Sequence, residues 1–325
     1  MKKLSITLIL AFLAGIQVIA ADNEFKPNGK ASVKIFSNFH STFSDGANLN
    51  VFEITRAYFG YGYKFSKHFS GKITLDVGNP KVGGLEMTAY LKNASLTYKQ
   101  NGFTVNFGLI GLLQFKTQEK IWGYRYIYKS FQDQHKYGSS ADLGINISYK
   151  FSNFISADFN LINGEGYKKI AADSILRTGI GITINPIKAL TIRAYYDFIK
   201  KKGVNQQSIS LFAGYKTKKF SVGAEYNKQL NHKNSNGNHL NGYSFYTTYN
   251  ASKKIKIFGR YDKLTSSNAK NMEWNLGKDG SLFIVGMEFT PVKGIKIAPN
   301  YQGWKPKDTD KKYRSVFYIN LEIKI

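Results

Sequence analysis

The sequence predicts an all-β fold: a transmembrane antiparallel up-and-down β-barrel of about 16 strands, with a long third outer loop folding inward. Three observations lead there. Apolar and polar residues alternate with period two through most of the chain, while helical periodicity is weak. Short and long connections between the alternating segments take turns. Tyr and Phe recur beside the short connections, as in the aromatic girdle of a membrane barrel.

The elements follow in chain order. Lys2 and Lys3 precede an apolar run, Leu4 to Ala14, and small and apolar residues then lead to Asp22. This reads as a secretory signal peptide, residues 1–20, cut after Ala20 or alternatively after Ala21. The competing reading, an uncleaved anchor helix, meets a run too short to span well and an acidic flank. Residues 21–325 then form one barrel domain, exported to a bacterial outer membrane.

Sixteen alternating segments centre on Val33–Phe43, Ile54–Phe65, Phe69–Val77, Thr88–Tyr98, Phe103–Leu112, Leu143–Phe151, Ile155–Ile162, Leu176–Ile184, Leu190–Phe198, Ile209–Tyr215, Phe220–Tyr226, Tyr243–Tyr249, Ile255–Tyr261, Phe283–Phe289, Ile295–Tyr301 and Phe317–Ile325. In Leu190–Phe198, for example, Leu190, Ile192, Ala194, Tyr196 and Phe198 alternate with Thr191, Arg193, Tyr195 and Asp197. The second, fourth and fifteenth segments are the least regular. Lipid explains the pattern: backbone groups in hydrocarbon must all be paired, so strands close on themselves, with an apolar outside and a polar inside. Strands of about ten residues account for roughly 160 positions, and the remainder suffices for turns, outer loops and leader without another domain.

Every second connection is short, as at Ser66-Lys67-His68, Lys99–Gly102, Ser152-Asn153 and Lys216–Lys219. The others are longer and more polar, and the longest, residues 113–142, is the third of that class and the candidate constriction loop. Lys200-Lys201-Lys202 is expected in an outer loop, where it reads as a solvated charge run or a contact for anionic lipopolysaccharide.

Composition narrows the chemistry. Zero cysteines exclude a disulfide scaffold, a Cys-based zinc site, a cysteine nucleophile and a lipidated Cys. The formal net charge of +25 admits nucleic acid, an anionic membrane surface or small anions in a cavity as partners, and export leaves the last two. The five histidines are scattered, with no HExxH spacing and no GxSxG elbow. Gly179-Ile180-Gly181 lies inside a strand and reads as relief of crowding or a bulge. Neither an enzyme nor a cofactor is expected.

Charges on the polar phase of a barrel strand point into the lumen by default, because they cannot face lipid. Lys34, Arg56, Lys72, Arg177, Arg193 and Arg260 are so placed, and Lys116, Lys120, Arg125 and Lys129 lie in the long third loop. Together they are the candidate pore-lining, anion-attracting set. Acids of the same phase, Asp76, Asp158, Asp197, Glu225 and Asp262, temper it. Trp122, Tyr124, Tyr126 and Tyr128 interleave with Arg125 and Lys129, either pinning the loop to the wall or forming an aromatic-cationic slide for solutes.

Ile54-Thr55-Arg56-Ala57-Tyr58-Phe59-Gly60-Tyr61-Gly62-Tyr63, the stretch Gln118–Tyr126, the stretch Gly138–Gly144 and the C-terminal strand resemble outer-membrane porins of the phosphate-selective porin O and P family, in their Bacteroidetes-type members. The resemblance covers essentially the whole chain after the leader. It implies a sixteen-stranded, usually trimeric barrel with a constricting inward loop. The chain departs from the pattern in ending at Ile325 rather than an aromatic residue, and its six arginines match no arginine ladder. The expected function is passive diffusion of small hydrophilic solutes, with a preference for anions, phosphate among them. The alternatives are a closed structural or ligand-binding surface barrel and a soluble polyanion-binding β-protein. Expected partners are outer-membrane lipid, lipopolysaccharide, the solutes and two further copies of the chain, with no nucleic acid.

Overall fold

A computed structural model describes residues 25–44, 47–78, 87–171 and 173–325, so the expected leader at 1–20 lies outside the described residues. The strands are β1 Asn28–Ser44, β2 Ala47–Lys64, β3 Phe69–Gly78, β4 Thr88–Gln100, β5 Phe103–Gly111, β6 Ala141–Lys150, β7 Ile155–Ile162 and β8 Arg177–Ile187. They continue with β9 Leu190–Lys201, β10 Val204–Lys216, β11 Phe220–Leu230, β12 His239–Asn250, β13 Ile255–Ser267, β14 Gly280–Phe289, β15 Ile295–Pro306 and β16 Arg314–Lys324. Each pairs antiparallel with the next, and β1 pairs with β16 from Lys34↔Lys324 to Phe43↔Ser315, which closes the barrel. Each of the sixteen segments expected from alternation is one of these strands.

The polarity is inverted relative to a protein whose core is oil and whose surface is water. Phe59, Phe107, Leu211, Phe245, Val285 and Phe317 stand exposed on the outside. Asp76, Asp197, Asn227 and Gln229 are fully buried within. An exposed apolar belt of this extent is what a hydrocarbon solvent requires.

One rim carries the short turns. The β4–β5 turn is Asn101-Gly102, with φ of 45° and 83°, the left-handed pair of a type I′ hairpin. Rings pair around this rim: Tyr63 with Phe65, Phe69 with Tyr98, Tyr149 with Phe151 and Tyr215 with Phe220, at 4.8–5.7 Å between centroids.

The other rim carries the long loops, with two departures from expectation. β1 runs on to Ser44 and β2 starts at Ala47, and at 17 and 18 residues they are the longest of the described strands. Lys202-Gly203 alone joins β9 to β10, again with φ positive at both positions. The lysine run is therefore not a loop. Lys200 and Lys201 are the end of β9, and Lys201 pairs with Glu165 and, at 3.1 Å, with Asp173.

Candidate functional site: a loop clamped inside the barrel

The segment joining β5 to β6 contains two short helices, α1 Lys116–Trp122 and α2 Phe131–Gln134. Gly123, at φ 78°, ends α1 and turns the chain toward the wall. Trp122, Tyr124, Tyr126 and Ile127 then pack on Phe36, Phe212, Tyr246, Phe258, Leu282, Ile284 and Ala298. Those partners sit on the inward phase of β1, β10, β12, β13, β14 and β15, so the loop lies against the inner wall. Polar contacts fix its height: the Tyr126 hydroxyl donates to Glu288 at 2.8 Å, and the Tyr246 hydroxyl donates to the Gln118 carbonyl at 3.1 Å.

Three arginines hold the loop backbone at three points along its length. Arg193 donates to the Leu113 carbonyl at 3.2 Å, Arg260 to that of Lys129 at 2.9 Å, and Arg177 to that of Tyr137 at 2.6 Å. Each is buried and faces a carboxylate: Arg193 with Asp158, Arg260 with Asp262, Arg177 with Asp197, at 2.6–2.8 Å. A buried guanidinium needs partners for its N–H donors, and each of these donates to a carboxylate and a carbonyl. Only Arg260 also uses its Nε, while those of Arg177 and Arg193 are without a partner among the described residues. The Arg193 pair depends on a missing side chain. Arg193 donates to Thr183 of β8 at 2.9 Å and reaches from β9 across Gly181 of β8 to Asp158 of β7. A Cβ on Gly181 would sit 2.4 Å from Nη2 of Arg193 and 2.7 Å from Oδ2 of Asp158. The Gly179-Ile180-Gly181 motif thus relieves crowding on the inner wall.

Arg125 and Lys129 of the loop lie within electrostatic reach of Arg56 and Tyr58 on β2, Lys92 on β4 and Lys168 in the β7–β8 loop. Arg125 pairs with Glu119 at 3.1 Å and with Asp133 at 2.8 Å, and Lys129 lies 4.0 Å from Asp133. Across from them Arg56 is ion-paired to Asp76 and donates to the Tyr167 hydroxyl at 3.1 Å. Lys92 lies 3.8 Å from the same carboxylate and over the rings of Tyr58 and Tyr167, and Lys168 lies 4.4 Å from the Tyr90 centroid. The two sides feel each other. Burial pulls the Lys129 ammonium below its usual range, Asp133 pulls it back up, and Arg125, Arg56 and Lys168 push it down. Lys168 is lowered likewise, by burial first and then by Arg56. The cluster holds five cations, Arg56, Lys92, Arg125, Lys129 and Lys168, against three carboxylates, Asp76, Glu119 and Asp133, a formal surplus of two positive charges among the described residues.

The residues singled out by the sequence therefore fall into three places. Arg177, Arg193 and Arg260 clamp the loop with their charges locally compensated. Arg56, Arg125 and Lys129 belong to the positively biased cluster shared by the loop and the wall. Lys34, Lys72, Lys116 and Lys120 lie toward the short-turn rim, where Lys72 feels Lys116 and Lys34, and Lys120 feels Lys216. Sequence reasoning missed Lys92 and Lys168. Lys92 is the extra residue of a β-bulge, since Leu75 pairs with Leu91 but Thr74 with Asn93. Bulges re-aim side chains, and the irregular alternation of this strand was its trace in the sequence.

The same architecture occurs in solved outer-membrane proteins. An anion-selective porin from Comamonas acidovorans superposes with a TM-score of 0.69 at 11 % identity, over 92 % of this chain and 100 % of that one. OprB of Pseudomonas putida gives 0.70 at 10 % identity, over 91 % and 94 %. The trimer form of OmpT, an outer-membrane protein of Vibrio cholerae, gives 0.60 at 13 % identity, over 91 % and 99 %. At such identities the likeness is one of fold. No protein-family model matches the chain, and neither does any curated protein sequence.

Proposed function

We propose that this chain is an outer-membrane diffusion channel for small hydrophilic solutes, with a preference for anions, its short-turn rim facing the periplasm. The observation that carries the reading is the positive surplus of the cluster shared by the clamped loop and the wall of β2–β4, and we place the solute passage at that gap. A narrow passage with low-dielectric walls focuses such a field, drawing in anions and repelling cations. Lys34, Lys72, Lys116 and Lys120 extend the field toward the short-turn rim. Arg56 and Arg125 are both already paired with carboxylates, so selection among anions rests on charge and size more than on a free guanidinium fork. Phosphate is one of the anions such a gap admits. Assembly as a homotrimer accords with the resemblance to porins and with the trimeric form of the Vibrio cholerae neighbour. The leader at residues 1–20 supplies the export this location needs.

A second reading, a closed surface barrel, is favoured by one observation: Trp122, Tyr124, Tyr126 and Phe131 fill part of the lumen at 0–3 % exposure. Reconstitution into a planar bilayer separates the two. Stepwise conductance with a zero-current potential of anionic sign in a KCl gradient supports the channel. Absence of conductance supports the closed barrel.

A further inference from the structure

Between the clamped loop and the long-loop rim lies a cavity of about 720 Å³, whose lining includes none of Arg56, Lys92, Arg125, Lys129 and Lys168. Among the described residues four cations line it, Lys136, Lys233, Lys278 and Arg314, and no carboxylate does. Among the described residues none of the four has a carboxylate partner within salt-bridge distance. This is unlike the gap, where every carboxylate is matched.

Its aromatic wall is fixed in place. The Trp274 indole N–H donates to the His239 carbonyl at 3.0 Å, and His232 lies against the ring at 5.8 Å and 32°. Trp304 packs against the apolar cluster that seats the loop. Two of the lysines are also fixed at their roots. Lys136 and Lys233 have φ of 59° and 56°, left-handed values that a lysine seldom adopts. The turn that carries Lys233 is held by its neighbours: Asn231 donates to the Asn205 carbonyl at 2.9 Å, and Asn234 donates to those of Ile199 and Val204 at 3.1 and 3.0 Å. Backbone strain maintained by several side-chain bonds marks a position the fold insists on. Burial, and then lysine charges, push the His232 imidazole down to about 4, so at neutral pH it is a neutral hydrogen-bonding group.

We propose that this cavity is a binding site for sugars carrying an anionic group, such as hexose phosphates. The indole faces of Trp274 and Trp304 take the C–H face of a pyranose, the amides of Asn238 and Gln302 take its hydroxyls, and the lysines take the anion. A bare phosphate leaves the aromatic wall unused, and a neutral sugar leaves the unpaired cations unused. The volume accommodates a mono- or disaccharide with part of its water. The assignment rests on the channel reading only for which side of the membrane the cavity faces.

The test therefore reads binding rather than current. Tryptophan fluorescence of the folded, detergent-solubilised protein is titrated with glucose 6-phosphate, glucose and inorganic phosphate. The expected Kd for glucose 6-phosphate is at least tenfold below those of the other two. Lys136→Gln, Lys233→Gln and Lys278→Gln together, all exposed positions, are expected to weaken glucose 6-phosphate at least tenfold and leave glucose unchanged. Trp274→Ala is expected to bring glucose 6-phosphate to the affinity of inorganic phosphate. Should that variant not fold, as judged by heat-modifiable migration, the lysine variant decides. Glucose 6-phosphate binding no tighter than inorganic phosphate, or a lysine variant that binds like the parent, overturns the assignment. A protein that conducts but does not bind loses this inference and keeps the channel. One that binds but does not conduct does the reverse.

Discussion

Neutralising Lys92 and Lys168 removes the surplus charge of the gap without touching the loop or its clamps. The magnitude follows from Coulomb's law. Two positive charges act on an ion passing about 8 Å away with ~1 kcal/mol in water, and screening near 0.15 M salt reduces this to ~0.4 kcal/mol. An anion gains that amount and a cation loses it, so the difference of ~0.8 kcal/mol is a permeability ratio of about four. In a tenfold KCl gradient centred on about 0.15 M, a ratio of four gives a zero-current potential of roughly 28 mV, from 59 mV per decade. Lys92→Gln alone leaves one surplus charge and a contribution from the gap of about two, and Lys92→Gln with Lys168→Gln lowers that contribution to near one, leaving only the field of Lys34, Lys72, Lys116 and Lys120. Raising the salt toward 1 M, where the screening length falls to about 3 Å, is expected to bring the parent close to one as well. The assay is bilayer reversal potential on parent, single and double variants at two mean salt concentrations. A double variant that keeps the parent's ratio would refute the assignment of selectivity to this gap.

Three further outcomes follow from the same geometry. Lys129 and Lys168 are held below the ordinary lysine range, so they lose their charge at lower pH than a free lysine; anion preference should decline as pH rises through that depressed range, and Lys129→Gln should flatten the decline. Arg193→Met leaves Asp158 buried without its partner and should cost about 3–5 kcal/mol, lowering the temperature of heat-modifiable unfolding, while Arg193→Met with Asp158→Leu should recover most of the loss; a double variant as unstable as the single would contradict the pairing. Gly181→Val places a side chain where Arg193 and Asp158 meet and should destabilise by about 1–3 kcal/mol, with noisier channel current as the loop loses its hold near Leu113; quiet current of parental size would show that this clamp does not hold the loop.

The barrel was legible because two rules act on every residue of it. Lipid outside and water inside impose period two, and antiparallel neighbours need only short turns on one rim. The rule fails where the lumen is not water. Phe258, Leu282 and Ile284 lie on the inward phase, which the rule assigns to polar residues, and they do so because Trp122 and Tyr124 cover them. The apolar run Leu282-Phe283-Ile284-Val285, dense on both phases, was the available sign. The lysine run at 200–202 was misplaced for a different reason: a Lys-Gly pair forms the same left-handed turn as Asn-Gly, though lysine seldom marks one.

The candidate site was legible only as a phase. Alternation shows that Arg177, Arg193 and Arg260 point inward, but not that each meets an aspartate. The Arg193 partner lies two strands away across a glycine, a relation that needs the register of three strands at once. The loop's basic residues lie in one segment, yet Lys116 and Lys120 face the short-turn side while Arg125 and Lys129 join the cluster with Arg56, a split set by where α1 ends at Gly123. Lys92 escaped because a bulge breaks the very periodicity used to find its neighbours.

The central claim is a water-filled passage that prefers anions, and swelling of liposomes carrying the purified protein tests it most directly. Solutes of matched size and opposite charge, galacturonate and glucosamine, are compared with neutral glucose at low salt. Entry should be fastest for galacturonate and slowest for glucosamine, with the order collapsing at high salt. No swelling with any of the three, or fastest entry for glucosamine, would contradict it.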